Sequence, residues 1–131
     1  MARIERAALA AGVAALLTTA AAGQTADPMA GFYGHRLKIE LTAGYWTGVR
    51  VFAPDHTYRD SYDAEGEKGV TFGRWTVEDG KICTIAHEPD AKRFCNLGLG
   101  KQPGDTWMDS DPYTGNRIRF SLEAGPASAK P

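Results

Sequence analysis

Residues 73–83 read Gly-Arg-Trp-Thr-Val-Glu-Asp-Gly-Lys-Ile-Cys, and residues 93–95 read Arg-Phe-Cys. An Asp-Gly pair between two β-branched and aromatic runs is a hairpin signal. Two registers fit it. A two-residue turn at Asp79-Gly80 pairs Glu78 with Lys81 and sets Trp75 opposite Thr84. A three-residue turn that ends on Gly80 as a bulge glycine pairs Val77 with Lys81 and sets Trp75 opposite Cys83. Side chains alternate across a sheet, so a slip of one residue exchanges the two faces. The bulged register collects Trp75, Val77, Cys83 and Ile85 on one face, and a Cys83–Cys95 pair adds Leu97. It leaves Arg74, Thr76, Thr84, Lys92 and Asn96 on the other, with Ile82 and Phe94 as exceptions. The two-residue register mixes Arg74 with Cys83. The bulged turn is therefore the expectation, with the Trp75 indole packed against a Cys83–Cys95 disulfide and both facing the interior.

Directly opposed positions on neighbouring strands lie close enough for a disulfide to close. Tying off about a dozen residues is worth roughly 3 kcal/mol in the chain-entropy description. That is a large share of the roughly 5–10 kcal/mol available to a domain of this size. The spacing is neither a C-x-x-C redox pair nor a zinc knuckle, so the expected role is structural and no metal is implied.

Outward from this hairpin, short β-branched and aromatic runs recur every eight to twelve residues between turn residues, and no window of eleven keeps a 3.6-residue period. That spacing predicts an all-β, single-domain antiparallel meander of about eight strands, either a small barrel or a strongly curved sheet. The expected strands are 35–41, 45–53, 57–62, 70–77, 81–87, 92–97, 105–109 and 117–122. Segment 63–69 is polar, carries two glycines and is expected to be a loop. Segment 98–104 holds three glycines and a proline, but no GxxxxGK[ST] pattern accompanies it, so it is not a phosphate cradle.

The ends of the chain read differently. Residues 1–22 place two arginines ahead of sixteen uncharged positions, nine of them alanine. This is the layout of a secretory signal peptide, with cleavage after Ala22, Gly23 or Ala26. The apolar run is shorter than the roughly 18–20 residues a spanning helix needs. The mature protein is thus expected in the periplasm or the medium and not spanning a membrane. Residues 23–31 are expected to be a flexible leader, 32–123 the β-domain and 124–131 a disordered tail.

All 131 residues carry 15 Lys and Arg against 16 Asp and Glu. Without a basic face the chain is not expected to bind nucleic acid. A monomer is the expected state.

No catalytic constellation stands out, and no cofactor motif is present. His56 lies in a Pro-Asp-His turn, and His87 opens a polar turn without the second histidine of a zincin helix. Asp105, Asp109 and Asp111 surround Trp107, yet Tyr113 and Thr114 fall where a calcium loop needs a ligand and a glycine. An Asx turn is the better reading. The aromatic residues recur across nearly every strand and are expected to form the core. Trp46, Phe52, Tyr58, Phe72, Trp107 and Phe120 are the candidates for lining a ligand cavity at a barrel mouth.

Phe52-Ala53-Pro54-Asp55-His56-Thr57-Tyr58, the 73–83 hairpin and Cys95 together resemble a family of exported bacterial proteins with the pattern F-x-P-D-G-x-[FY] … G-x-W-x-V-x-D-G-K-[LI]-C … C. The resemblance covers about residues 45–97 and departs at His56, where that family carries glycine. It implies secretion, a β-meander and the disulfide, and no substrate. A looser similarity, around 73–83, is to small lipocalin-like inhibitors of secreted proteases, and it implies a lipocalin-like small barrel.

Three functions are weighed. An exported non-catalytic binding module for a small apolar or cell-envelope molecule comes first and calls for a cavity lined by these rings. A lipocalin-like inhibitor of a secreted hydrolase comes second; it calls for a filled barrel and a protruding segment such as the leader or 63–69. An enzyme comes last and calls for His56 or His87 clustered with carboxylates in a cleft.

Overall fold

A computed structural model describes residues 27–127. It contains eight strands: β1 His35–Leu41, β2 Trp46–Phe52, β3 Thr57–Ala64, β4 Glu67–Glu78, β5 Lys81–Ala86, β6 Arg93–Gly98, β7 Thr106–Ser110 and β8 Arg117–Pro126. They form one antiparallel sheet in the order β6-β5-β4-β3-β2-β1-β8-β7. The sheet curls until its two terminal strands meet, giving a nearly closed barrel. The seam between β6 and β7 carries no strand ladder. Side chains bridge it instead: the Asn96 amide reaches the Ser110 carbonyl at 3.5 Å, and the Tyr113 hydroxyl donates to the Arg93 carbonyl at 2.5 Å.

The two-residue period of apolar side chains explains the curl. In β1, Leu37 and Ile39 are buried while Lys38 is exposed, and in β8 Ile118, Phe120 and Leu122 are buried while Arg117 and Arg119 are exposed. Only one face is apolar, so the sheet must fold that face upon itself. Successive antiparallel strands then place their connections alternately at two ends. One end is closed by the turn at residues 27–34, which inserts Met29 and Phe32, both fully buried. Phe32 meets Phe52 and Trp107 edge-on, with centroids 5.6 and 6.5 Å apart.

Several sequence expectations need correction. The β4–β5 hairpin takes the two-residue turn: Glu78 pairs with Lys81, Thr76 with Cys83 and Trp75 with Thr84. Asp79 and Gly80 both have positive φ, 49° and 74°, which is the signature of the tight hairpin turn that matches strand twist. Trp75, Ile82 and Thr84 therefore face inward, and Cys83 shares the outer face with Arg74, Thr76 and Glu78. The disulfide Cys83–Cys95 is present, but on the side of the sheet away from Trp75. The face count misled because Thr84 is a buried polar residue and Ile85 an exposed apolar one.

Segment 63–69 is likewise no loop. Asp63 pairs with Lys68 and Ala64 with Glu67, leaving a turn of Glu65 and Gly66. Within the expected flexible leader, Met29 is part of the core. Within the expected tail, residues 124–126 continue β8, where Pro126 pairs with His35. The signal peptide, residues 23–26 of the leader and residues 128–131 lie outside the described residues.

Candidate functional site

The end of the barrel opposite Phe32 is hollow. A cavity of about 290 Å³ opens there, and its wall includes Ile39, Leu41, Trp46, Phe94, Ile118 and Phe120. Thr84, Asn96, Asp111, Tyr45 and Arg50 supply its polar atoms. A second hollow of about 380 Å³ adjoins it, sharing Trp46, Arg50, Thr84 and Phe94 and adding Tyr58, Asp60, Tyr62, Glu88 and Lys92.

Glycines create part of this space. Trp46 lies flat over Gly48, where a Cβ would stand 2.4 Å from the indole, and Tyr62 lies over Gly69 with a corresponding 2.3 Å. Neither glycine tolerates a side chain without moving its ring. Trp46 and Tyr62 stack on one another at 6.3 Å. Rings held down against the wall cannot fill the centre.

At the base of the hollow sits an ion pair. Arg50 on β2 and Asp60 on β3 are register partners, and alternation sends both inward. Nε and Nη2 of Arg50 donate to the two Asp60 oxygens, each at 2.7 Å, and Nη1 donates to the Thr84 hydroxyl at 3.3 Å. The side chains are only 14% and 8% exposed. The guanidinium also lies over the Tyr58 ring, 4.4 Å from its centroid. Burial works against the Arg50 charge, but the hydrogen bonds and attraction of Asp60 outweigh it and hold the pKa above its ordinary value. Burial pushes the Tyr58 phenol up, with Arg50 acting in the opposite sense.

Of the six rings proposed to line a cavity, Trp46 and Phe120 do so at the larger apolar wall, and Tyr58 lines the adjoining hollow. Phe52 is buried against Phe32 and Trp75 at the closed end. Trp107 stacks on Phe120 and packs against the core, with Lys101 over its ring. Phe72 does not line the barrel: it is 56% exposed, because alternation along β4 turns Gly73 and Trp75 inward and residue 72 outward.

The remaining candidates are not assembled into a reactive site. His35 Nδ1–H donates to the Gly125 carbonyl, and the His56 imidazole stacks on Trp75 at 4.1 Å. His87 stands on the outer groove beside Phe72. Asp111 accepts from the backbone of Tyr113 and Thr114 as an Asx turn, and Asp105 accepts from Gln102 N–H. Among the described residues, the one group of three metal-ligating side chains is Glu78, Cys83 and Cys95. Its sulfurs are tied in the disulfide, and Glu78 is ion-paired with Arg93.

Sequence reasoning missed Arg50, Asp60 and Thr84. A signal existed: Arg50 interrupts the alternation Trp46, Gly48, Arg50, Phe52, and Asp60 interrupts Tyr58, Asp60, Tyr62. Opposite charges amid inward-facing aromatics on neighbouring strands point to a buried pair. No protein-family model, curated protein or solved structure matches the chain. Among the described residues, no helix is long and apolar enough to cross a membrane.

Proposed function

We propose that the protein is an exported, non-catalytic binding module that takes a small apolar molecule into the open end of its barrel. The observation that carries this reading is the cavity of about 290 Å³, apolar along most of its wall, in a barrel whose other end is packed solid. Ligand cavities begin at about this size, so a compact molecule suits it. A disulfide together with the N-terminal arginine-then-alanine pattern supports export to the periplasm or medium. The hydrolase-inhibitor alternative calls for a filled barrel and a protruding segment such as the leader or 63–69, and the hollow at the open end favours the first reading over it.

The test is titration with the uncharged fluorophore N-phenyl-1-naphthylamine. Saturable one-to-one enhancement is expected, with energy transfer from Trp46. Leu41→Trp, which places an indole into the mouth, is expected to weaken binding by tenfold or more while leaving the circular dichroism spectrum unchanged. Absence of saturable binding, or equal binding by Leu41→Trp, overturns the proposal.

A further inference from the structure

We infer that the cavity selects uncharged ligands bearing a hydrogen-bond acceptor, such as a ketone, ester or amide carbonyl, and that Arg50 donates to that acceptor. This rests on the binding reading above and specifies its ligand class. A guanidinium carries five N–H donors. Two of those on Arg50 go to Asp60 and one to Thr84. Two therefore have no acceptor among the described residues, although the side chain is mostly buried and borders both hollows. A buried donor left unpaired is costly, so a ligand that supplies the acceptor gains what a plain hydrocarbon cannot.

Charge then decides between acceptors. Asp60 already neutralises Arg50 through a two-point pair. Across the two hollows, the cations Arg50 and Lys92 face three carboxylates, Asp60, Glu88 and Asp111. A ligand carboxylate meets a wall with no spare positive charge and is repelled by Asp60. An ammonium group brings donors to a guanidinium that has only donors to offer. A neutral carbonyl satisfies the free N–H groups without adding charge to a poorly solvated site. The Thr84 hydroxyl, 3.3 Å from Nη1, and the Tyr58 ring against the guanidinium face hold the group in a fixed plane, from whose edge the N–H groups donate.

The experiment is displacement of N-phenyl-1-naphthylamine at pH 7 by cyclooctanone, cyclooctane, cyclooctylamine and cyclooctanecarboxylic acid, which share one ring. Cyclooctanone is expected to displace the probe about tenfold more tightly than the other three, the equivalent of one hydrogen bond. The double variant Arg50→Met/Asp60→Leu removes both charges at similar volume. It is expected to lose the preference for the ketone, so that cyclooctanone displaces the probe no more tightly than cyclooctane. Equal displacement by ketone and hydrocarbon in the parent protein, tightest displacement by the acid, or a ketone preference that survives in the double variant overturns the inference. Each of these outcomes leaves the binding proposal standing. Failure of the fluorophore itself to bind overturns that proposal, and the inference with it.

Discussion

The two ends of the barrel are built from the same strands and differ in almost every other respect. β2 gives Phe52 to the closed end and Arg50 and Trp46 to the open one. β8 gives Leu122 to the first and Ile118 to the second. At the closed end, Phe32, Phe52, Leu37 and Leu122 have no more than 2% of their surface exposed. At the open end, rings lie flat over glycines and an ion pair stands where another Phe would pack. Close packing is what stabilises a small domain. A buried ion pair, by contrast, is weak evidence for stability, because desolvation offsets the attraction. The comparison assigns stability to one end and leaves the other free to be hollow.

That division makes a quantitative expectation. Phe32→Ala removes the side chain that plugs the closed end and is expected to destabilise the domain by about 4 kcal/mol. Ile118→Ala, at the cavity wall, is expected to cost less than half as much. Its side chain already borders a void and has fewer packed atoms to lose. Urea unfolding measures both. Equal losses would erase the distinction between the ends.

The strands themselves were legible because the apolar period of two is strong in β1 and β8, and turn residues punctuate the rest. What the sequence concealed was decided by tertiary partners. Thr84 looks like a surface residue until Arg50 reaches it across the barrel, and together with the exposed Ile85 it inverts the face count in the β4–β5 hairpin. Met29 lies in a stretch of small residues that reads as a leader, and its burial, like that of Phe32 at the start of the expected β-domain, depends on a barrel end that no local pattern encodes. The recurrence of rings along the strands does not separate lining from filling: Trp46 and Phe120 stand on the cavity wall, whereas Phe52 packs into the closed end. Phe72 is the exception that alternation could exclude, since it lies three residues from the inward Trp75 on the same strand.

The ion pair offers a sharper probe of the open end. Asp60→Leu alone strands the Arg50 guanidinium and is expected to cost about 3 kcal/mol, the low end for breaking a buried pair since Arg50 keeps some solvent contact. Arg50→Met alone leaves Asp60 unpaired and is expected to cost a similar amount. The double variant is expected to unfold within about 1 kcal/mol of the parent, as apolar replacements of buried pairs often do. This non-additivity, read from urea midpoints of all four proteins, would show that the pair serves the cavity more than the fold. Additive losses would instead make Arg50 and Asp60 independent contributors to stability, and the open end would no longer be the weaker one.

The smallest effect is expected at the rim of the closed end, where two opposing terms meet in one residue. His56 has φ 68°, a left-handed conformation that costs a non-glycine residue about 1 kcal/mol. In return its ring stacks on Trp75 at an interplanar angle of 8°, and its Nδ1–H donates to the Trp75 carbonyl at 3.1 Å. An aromatic contact and a hydrogen bond together are worth about 1–2 kcal/mol. His56→Gly relieves the strain but loses both contacts and adds backbone freedom to the unfolded chain. The net expectation is a loss of no more than about 1 kcal/mol, accompanied by a change in Trp75 emission as the indole loses its stacked neighbour. A clear gain in stability would mean that strain outweighs the stack. The closed end would then hold an unspent reserve at position 56, and its packing would be less complete than the burial of Phe32 and Phe52 implies.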